Sequence, residues 1–322
     1  MKENSLQGKA IRALAREIRA SLQTLYEERE AAGLAWIILE NITGSRREQI
    51  MIRGDEPPDA GQLNAISQIL QELMKGKPLQ YVLGETEFYG LKFKVTPSVL
   101  IPRQETEELV QWILQTEAAS GSPLTAGKTS AATAVTTMGG TTRMAGEAAG
   151  KLPLSLLDVG TGSGCIAIAL KKNLSGAEAW ACDISDKALK LASENASLNE
   201  AEIRFEHADI LDEQTWGRFP SFDIIVSNPP YVTESEKTAM AVNVLDHEPH
   251  LALFVGNDDP LRFYRAIANF ALQKLRPGGS LYFEINEAFG PQTLELLRET
   301  SFQHISLQKD LNGKDRMVRG FK

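Results

Sequence analysis

The chain has 322 residues, 43% of them hydrophobic, which is enough for two packed domains. Its formal net charge of −8 excludes a global basic field of the kind that drives sequence-independent phosphate binding, so no direct nucleic-acid substrate is expected. Only Cys165 and Cys182 occur, which excludes a disulfide framework, and the mixed charges of residues 1–30 with no long apolar run anywhere point to a cytoplasmic protein with no membrane contact.

Ile11, Leu14, Ile18, Leu22 and Leu25 recur at helical spacing, with Arg12, Arg16, Glu17 and Arg19 on the other face. That predicts an amphipathic helix rather than a basic arm. Gly33 and Gly44 bracket a second helix around the apolar run 34–39, and after Pro57-Pro58 the stripe Leu63, Ile66, Ile69, Leu70, Leu73 predicts a third, stopping at Gly76. Residues 1–76 are therefore expected to form a small helical bundle, and periodicity leaves open whether it stabilises the chain or docks a partner. Residues 77–98 change period: Phe88 to Val95 read as a hairpin turning near Gly90, a linker between domains. A second domain is expected over 99–322.

That domain opens with Leu100-Ile101-Pro102-Arg103-Gln104-Glu105-Thr106-Glu107-Glu108-Leu109, a proline-stiffened entry into a helix whose acidic first turn complements the helix dipole. Residues 116–151 are rich in Thr, Ala, Gly and Ser and lack Phe, Tyr, Trp and Ile; they are expected to be a disordered insertion. Leu154 to Val159 then predict a strand, followed by the turn Gly160-Thr161-Gly162-Ser163-Gly164 and an apolar helix from Cys165. Such a turn lets backbone approach a nucleotide-like ligand closely. Gly162 to Ala167 also satisfy G-x-G-x-x-A, so a dinucleotide-dependent dehydrogenase is an alternative at this point. A second strand, 178–182, ends in Asp183, placed to accept hydrogen bonds from ribose hydroxyls, and a third, 203–205, leads to Asp209 and Ile210, which could flank an adenine ring.

The fourth strand carries the most specific signal. Ile224, Ile225 and Val226 are continuous and β-branched, as in a strand buried on both faces, and run into Asn228-Pro229-Pro230-Tyr231. The prolines stiffen the turn and remove donors from it. The Asn228 side-chain oxygen and the Pro229 carbonyl can accept both hydrogens of a substrate –NH₂ while the Tyr231 ring packs along its flat amide face. A helix over 261–275, a turn at Arg276-Pro277-Gly278-Gly279, a strand over 280–285, a helix over 291–299 and closing strands at 305–308 and 317–321 complete the pattern. Strands alternating with helices predict an α/β, Rossmann-like parallel sheet with an antiparallel C-terminal edge. His247-Glu248-Pro249-His250 is not a metal motif, because the proline breaks the helix that would align the rings, and no metal is expected. Trp36, Trp112, Trp180 and Trp216 are read as core or interface residues rather than a base-stacking platform.

The combination of Leu100 to Glu107, Asp158 to Gly164 and Asn228 to Tyr231, with the closing Asp310-Leu311-Asn312-Gly313-Lys314-Asp315-Arg316, resembles the HemK family of peptide chain release factor glutamine methyltransferases. The resemblance implies a methyltransferase sheet, S-adenosylmethionine as cofactor, and methyl transfer to the glutamine side-chain nitrogen of the GGQ motif in class 1 release factors. It implies that Gly160, Thr161, Gly162, Ser163, Gly164, Asp183, Asp209, Ile210 and Asn228 hold the cofactor. Asn228, Pro229, Pro230 and Tyr231 would hold the glutamine, with the helical bundle aiding recognition of the factor. The Asn-Pro-Pro-Tyr motif also resembles enzymes that methylate amino groups of nucleic-acid bases, so the alternatives are a ribosomal-protein glutamine or a base of DNA or RNA. Three positions depart from the family pattern: Gln104 stands for a usual proline, Phe254-Val255-Gly256-Asn257 for a more glycine-rich segment, and Asn286 for a usual glycine.

Overall fold

The computed structural model describes residues 10–119 and 153–322, and its chain divides into two compact units. The first runs to Thr86 and takes in Val95–Pro97 and Ala239–Glu248; the second comprises Glu87–Lys94, Ser98–Thr238 and Pro249–Lys322. The division passes through the hairpin, and a segment distant in sequence, Ala239–Glu248, returns to the helical unit.

The helical unit contains α1 (Ile11–Leu22), α2 (Glu28–Thr43), α3 (Arg47–Arg53), α4 (Ala60–Leu73) and α5 (Leu79–Leu83). Their apolar stripes meet in a core of Leu14, Ile18, Leu22, Ile38, Leu39, Ile66, Leu70 and Leu73. Asp59 starts α4 as a capping box: its carboxylate accepts from the Gln62 N–H at 2.8 Å, and the Gln62 side chain accepts from the Asp59 N–H at 3.1 Å. Three details differ from the sequence expectation. α1 ends at Leu22, which leaves Leu25 52% exposed. Gly33 lies inside α2, while Gly44, at φ 64°, does end it. α3 occupies a stretch whose periodicity is too short to announce a helix.

β1 (Glu85–Phe88) and β2 (Leu91–Lys94) form the expected hairpin, with Tyr89 and Gly90 both at positive φ in its two-residue turn. The remaining elements follow as α6 (Gln104–Ala119), β3 (Ser155–Val159), α7 (Cys165–Asn173), β4 (Glu178–Asp183), α8 (Asp186–Leu198), β5 (Ile203–His207), β6 (Phe222–Ser227), β7 (Val232–Thr233), α9 (Val242–His247), α10 (His250–Leu253), β8 (Phe254–Val255), α11 (Arg262–Lys274), β9 (Leu275–Glu284), α12 (Gly290–Glu299), β10 (Gln303–Lys309) and β11 (Asp315–Phe321). The expected insertion at 116–151 is corrected at its start, because residues 116–119 continue α6 and the Thr116 hydroxyl bonds back to the Trp112 carbonyl. Its remainder lies outside the described residues.

Seven strands form one sheet in the order β10-β11-β9-β6-β3-β4-β5. β5, β4, β3, β6 and β9 are mutually parallel, and β11 and β10 close the edge antiparallel. From β3 the chain winds outward through β4 and β5, then crosses back to β6 and winds the other way. The order therefore reverses between β3 and β6, the switch point beyond whose carboxyl ends sheets of this kind bind their ligands. The continuous apolar run of β6 follows from burial on both faces: Ile224 and Val226 join the layer of α6 and α7, whereas Phe222 and Ile225 join that of α11 and α12. The segment 276–279 is a second correction. It is not a free turn but lies within β9, where the pairing jumps from Phe222↔Leu275 to Ile224↔Ser280 and Arg276 binds the Asp223 carboxylate at 2.6 Å. Among the described residues no helix is long and apolar enough to cross a membrane.

Candidate active site at the carboxyl ends of the sheet

The loop after β3 is built on three glycines at positive φ, Gly160, Gly162 and Gly164. Gly160 (φ 72°) and Gly162 (φ 56°) occupy the left-handed region, and a Cβ built on either would meet no described atom within 4 Å. The backbone is thus bare at both positions, which is the property a close-approaching ligand requires. Gly164 serves packing instead: a Cβ there would sit 3.0 Å from Ile168 and 3.1 Å from Ala192. The Gly160 and Thr161 N–H groups bond the Cys182 carbonyl at 2.9 and 3.0 Å, tying the loop to β4.

Asp158 lies beneath this loop and is fully buried. Its Oδ2 accepts from the Thr161 hydroxyl at 2.6 Å and the Ala167 N–H at 3.3 Å, while Oδ1 has no partner among the described residues. Burial pushes its carboxyl up to about 7, with the Asp183 charge adding to the rise, against the two hydrogen bonds. Asp183, at the end of β4, accepts from the Gly162 N–H and the Ser185 N–H, each at 2.9 Å. Its carboxyl is also raised by burial, although these N–H groups and His207 favour the charge. Asp183 therefore shapes the glycine loop. After β5, Asp209 accepts from the Leu211 N–H at 2.9 Å, and Ile210 packs on the core while its carbonyl accepts from the Trp216 ring nitrogen at 3.1 Å.

β6 delivers Asn228 to Tyr231 beside these groups. The buried Ser227 hydroxyl donates to the Val159 carbonyl at 2.7 Å and locks the end of β6 to the end of β3. The Asn228 side-chain nitrogen donates to the Thr106 hydroxyl at 3.2 Å. Thr106, in the first turn of α6 and 2% exposed, donates in turn to Glu284 Oε2 at 2.6 Å. The other oxygen of Glu284 accepts from the Tyr231 hydroxyl at 3.0 Å. Among the described residues no donor reaches Asn228 Oδ1 or the Pro229 carbonyl. Burial raises the Glu284 carboxyl from its ordinary range, and the two hydroxyls and the Arg316 charge oppose that rise. Burial and the neighbouring Glu284 charge push the Tyr231 phenol well up, so it stays a donor at neutral pH.

The departure at Asn286 reaches this rim. Its side-chain nitrogen donates to the Tyr231 carbonyl and to Glu236, all at 3.1 Å, and its oxygen accepts from the Ala288 N–H at 2.9 Å. Glu236 also accepts from the Thr233 N–H and hydroxyl at 2.7 Å; burial opposes its charge, but these bonds outweigh it and lower the carboxyl. Phe254 and Val255 pair with Val232 and Thr233, so this second departure supports the segment after Tyr231. Gln104 is simply the first residue of α6, a place where proline is equally at home. The closing motif 310–316 is structural: Asp310 accepts from the Asn312 and Lys314 N–H groups, both at 2.9 Å, and holds Arg316 at 3.1 Å.

The structure thus brings the glycine loop, Asp183, Asp209, Ile210 and Asn228 to Tyr231 to one rim, as the sequence spacing predicted for these strand ends. It adds Thr106 and Glu284, which sequence reasoning did not single out, and it gives Asn286, marked in the sequence only as a departure, bonds to the Tyr231 carbonyl and Glu236. Thr106 does lie inside the motif at 100–107. Glu284 carried only the weak signal of an acidic residue ending an apolar strand. Among the described residues no group of His, Cys, Asp and Glu could hold a metal, and α9 ends at His247 before Pro249, separating the two histidines. Both cysteines are buried, and burial pushes the Cys165 thiol up to about 12, so they pack rather than react. Trp216 is a core residue, and Trp180 packs edge-on against Phe222.

A doubly wound sheet with a glycine loop, an acid at the end of the neighbouring strand and Asn-Pro-Pro-Tyr across the switch point defines the class as a Rossmann-like methyltransferase, and residues 147–253 match the family model for a methyltransferase small domain. Residues 13–84 match the model for a PrmC N-terminal domain. The chain is 43% identical over 299 residues to the release factor glutamine methyltransferase of Flavobacterium psychrophilum, covering 93% of this chain and 94% of that one. It is 40% identical over 301 residues to the Bacteroides thetaiotaomicron protein of the same name, covering 94% and 96%. The chain belongs to the release factor glutamine methyltransferase family.

Proposed function

We propose that this chain transfers a methyl group from S-adenosylmethionine to the side-chain amide nitrogen of the glutamine in the GGQ motif of a class 1 release factor, in the cytoplasm. The observation that carries this reading is the pair of acceptors, Asn228 Oδ1 and the Pro229 carbonyl, that no donor among the described residues claims. They match the two hydrogens of a carboxamide –NH₂.

The bare glycine backbone, the acid at the end of β4 and the unpartnered oxygen of Asp158 fit a cationic nucleoside cofactor. Gly160 to Gly164 would cradle it, Asp183 would accept from its ribose hydroxyls, and Asp209 and Ile210 would flank its adenine. When bound, it supplies an electrophilic methyl on a sulfonium. An amide nitrogen is a poor nucleophile, so this chain's contribution is positioning. Asn228 and Pro229 accept hydrogen bonds from both amide hydrogens and favour the positive charge that develops on nitrogen; no proton is taken before transfer, and one amide proton leaves to solvent after the methyl has moved and the donor's sulfur has become a neutral thioether. The Tyr231 ring packs along the amide plane. The helical unit aids recognition of the protein substrate.

The test is transfer from methyl-labelled cofactor into purified release factor, ribosomal proteins and nucleic acid in parallel. Label in the release factor that disappears when its GGQ glutamine is changed to asparagine supports the reading; label in either of the other two overturns it.

A further inference from the structure

Asn228 has two faces of opposite polarity, and only one of them suits an amide substrate: turned one way it offers an acceptor to the substrate –NH₂, turned the other way a donor. The two differ by a half-turn of the carboxamide, which costs little by itself. Something must choose between them.

The choice is made two groups away. In its ionised form Glu284 only accepts, and the Thr106 hydroxyl, 2.6 Å away, must then spend its single hydrogen on Oε2. Thr106 then has only lone pairs left for Asn228. The Asn228 atom facing it, at 3.2 Å, must be the –NH₂, and the carbonyl oxygen is thereby turned away from Thr106. The second Glu284 oxygen does the same for Tyr231, whose hydroxyl must donate to it at 3.0 Å. One buried carboxylate, 1% exposed at the end of β9, thus sets the polarity of both side chains assigned to the amide. A neutral group in its place can donate to Thr106, which frees the Thr106 hydrogen to point at Asn228. The reversed carboxamide is then equally satisfied, and it presents a donor to a donor.

We propose that Glu284 is a positioning residue for methyl transfer, acting through Thr106 to hold the Asn228 carboxamide in its accepting orientation and directly on Tyr231. This rests on the reading of Asn228 as the acceptor for the substrate amide.

The experiment is single-turnover methyl transfer to the purified release factor at saturating cofactor, beside calorimetric cofactor affinity and thermal melting, for Asn228→Ala, Thr106→Val, Thr106→Ser, Glu284→Gln and the double variant Thr106→Val/Asn228→Ala. Thr106→Val and Glu284→Gln are expected to slow transfer by roughly 10- to 100-fold, the size of loss that small misplacement of a reacting group produces, with cofactor affinity near the parent's. Thr106→Ser, which keeps the hydroxyl, restores the rate to within a few-fold. The double variant should be no slower than Asn228→Ala, since Thr106 acts only through Asn228. If Glu284→Gln fails to fold, the nearly isosteric Thr106→Val carries the test. Parental rates in Thr106→Val, or a fully additive double variant, alongside a normal Asn228→Ala defect, overturn this inference alone. A parental rate in Asn228→Ala overturns the reading of the site and this inference with it.

Discussion

Asp158→Asn separates the electrostatic cost of the glycine-loop architecture from its hydrogen bonds. The carboxyl is fully buried and sits at about 7 in the folded chain, against about 4 for an exposed aspartate. The folded state therefore binds this proton more tightly than the unfolded one, and stability falls as pH rises from the unfolded value through the folded value. The favourable contribution is present below about pH 4, shrinks through the window between, and is gone above about pH 7. Over the interval from about pH 5 to about pH 8 the loss amounts to roughly 3 kcal/mol. Asparagine has no such titration. Its oxygen can still accept from Thr161 and Ala167, and its nitrogen takes the unpartnered position that the Oδ1 hydroxyl of the acid form already holds among the described residues. Near pH 5 the two proteins should therefore be close in stability, and near pH 8 the variant should be the more stable by roughly 3 kcal/mol. Urea unfolding of both proteins at the two pH values measures it, and titrating groups that do not interact with Asp158 cancel in the difference. Parallel pH dependences would refute the argument, because they would mean that Asp158 is charged throughout or is reached by water.

Three further outcomes are expected. Asn228→Ala should lower the single-turnover methyl-transfer rate by roughly 10² to 10³, as loss of one group from a preorganised site does, with a much smaller change in cofactor affinity by calorimetry. Asp183→Ala should weaken S-adenosylmethionine binding by about 1–3 kcal/mol and also lower the melting temperature, because the Gly162 and Ser185 N–H groups lose their acceptor with the ribose; unchanged affinity would remove Asp183 from the site. Asn286→Gly should destabilise by about 1–3 kcal/mol in urea unfolding, since it strips donors from the Tyr231 carbonyl and Glu236 and an acceptor from Ala288; a parental midpoint would show those bonds to be replaceable by water.

What the sequence disclosed depended on whether a property was local. Strand ends are local: Ile224 to Val226 announced a strand buried on both faces, and Asp183 and Asn228 could be placed on a rim because each ends such a run. The glycine loop was legible for the same reason, since φ above zero needs glycine at those steps. Contacts across the sheet were not legible. Thr106 and Glu284 are separated by 178 positions, and neither carries a compositional signature of its partner. The helix dipole accounts for the acidic first turn of α6 by itself, so nothing in that turn distinguishes the threonine between its glutamates. The segment 276–279 was misread because Pro-Gly-Gly is a local turn signal, whereas pairing with β6 carries the strand through it as an irregularity. α3 escaped notice because seven residues are too few to show a period.

The arrangement of hydrogen bonds also explains why alignment between the two halves of the site is a property of the sheet rather than of its loops. Val159 and Ser227 are register partners at the ends of β3 and β6, and the Ser227 hydroxyl closes on the Val159 carbonyl at 2.7 Å. The residue after Val159 begins the glycine loop, and the residue after Ser227 is Asn228. The cradle proposed for the methyl donor and the acceptors proposed for the amide are therefore each one residue from a locked pair at the centre of a parallel sheet, where relative displacement would break several ladder bonds at once. Pro229 and Pro230 extend that rigidity beyond the strand, and Thr106, Glu284 and Asn286 hold the side chains and the Tyr231 carbonyl from the other side. In-line transfer to a weak nucleophile tolerates little misplacement. Register, which slips only in whole residues, is a firmer guarantee of that alignment than any loop conformation.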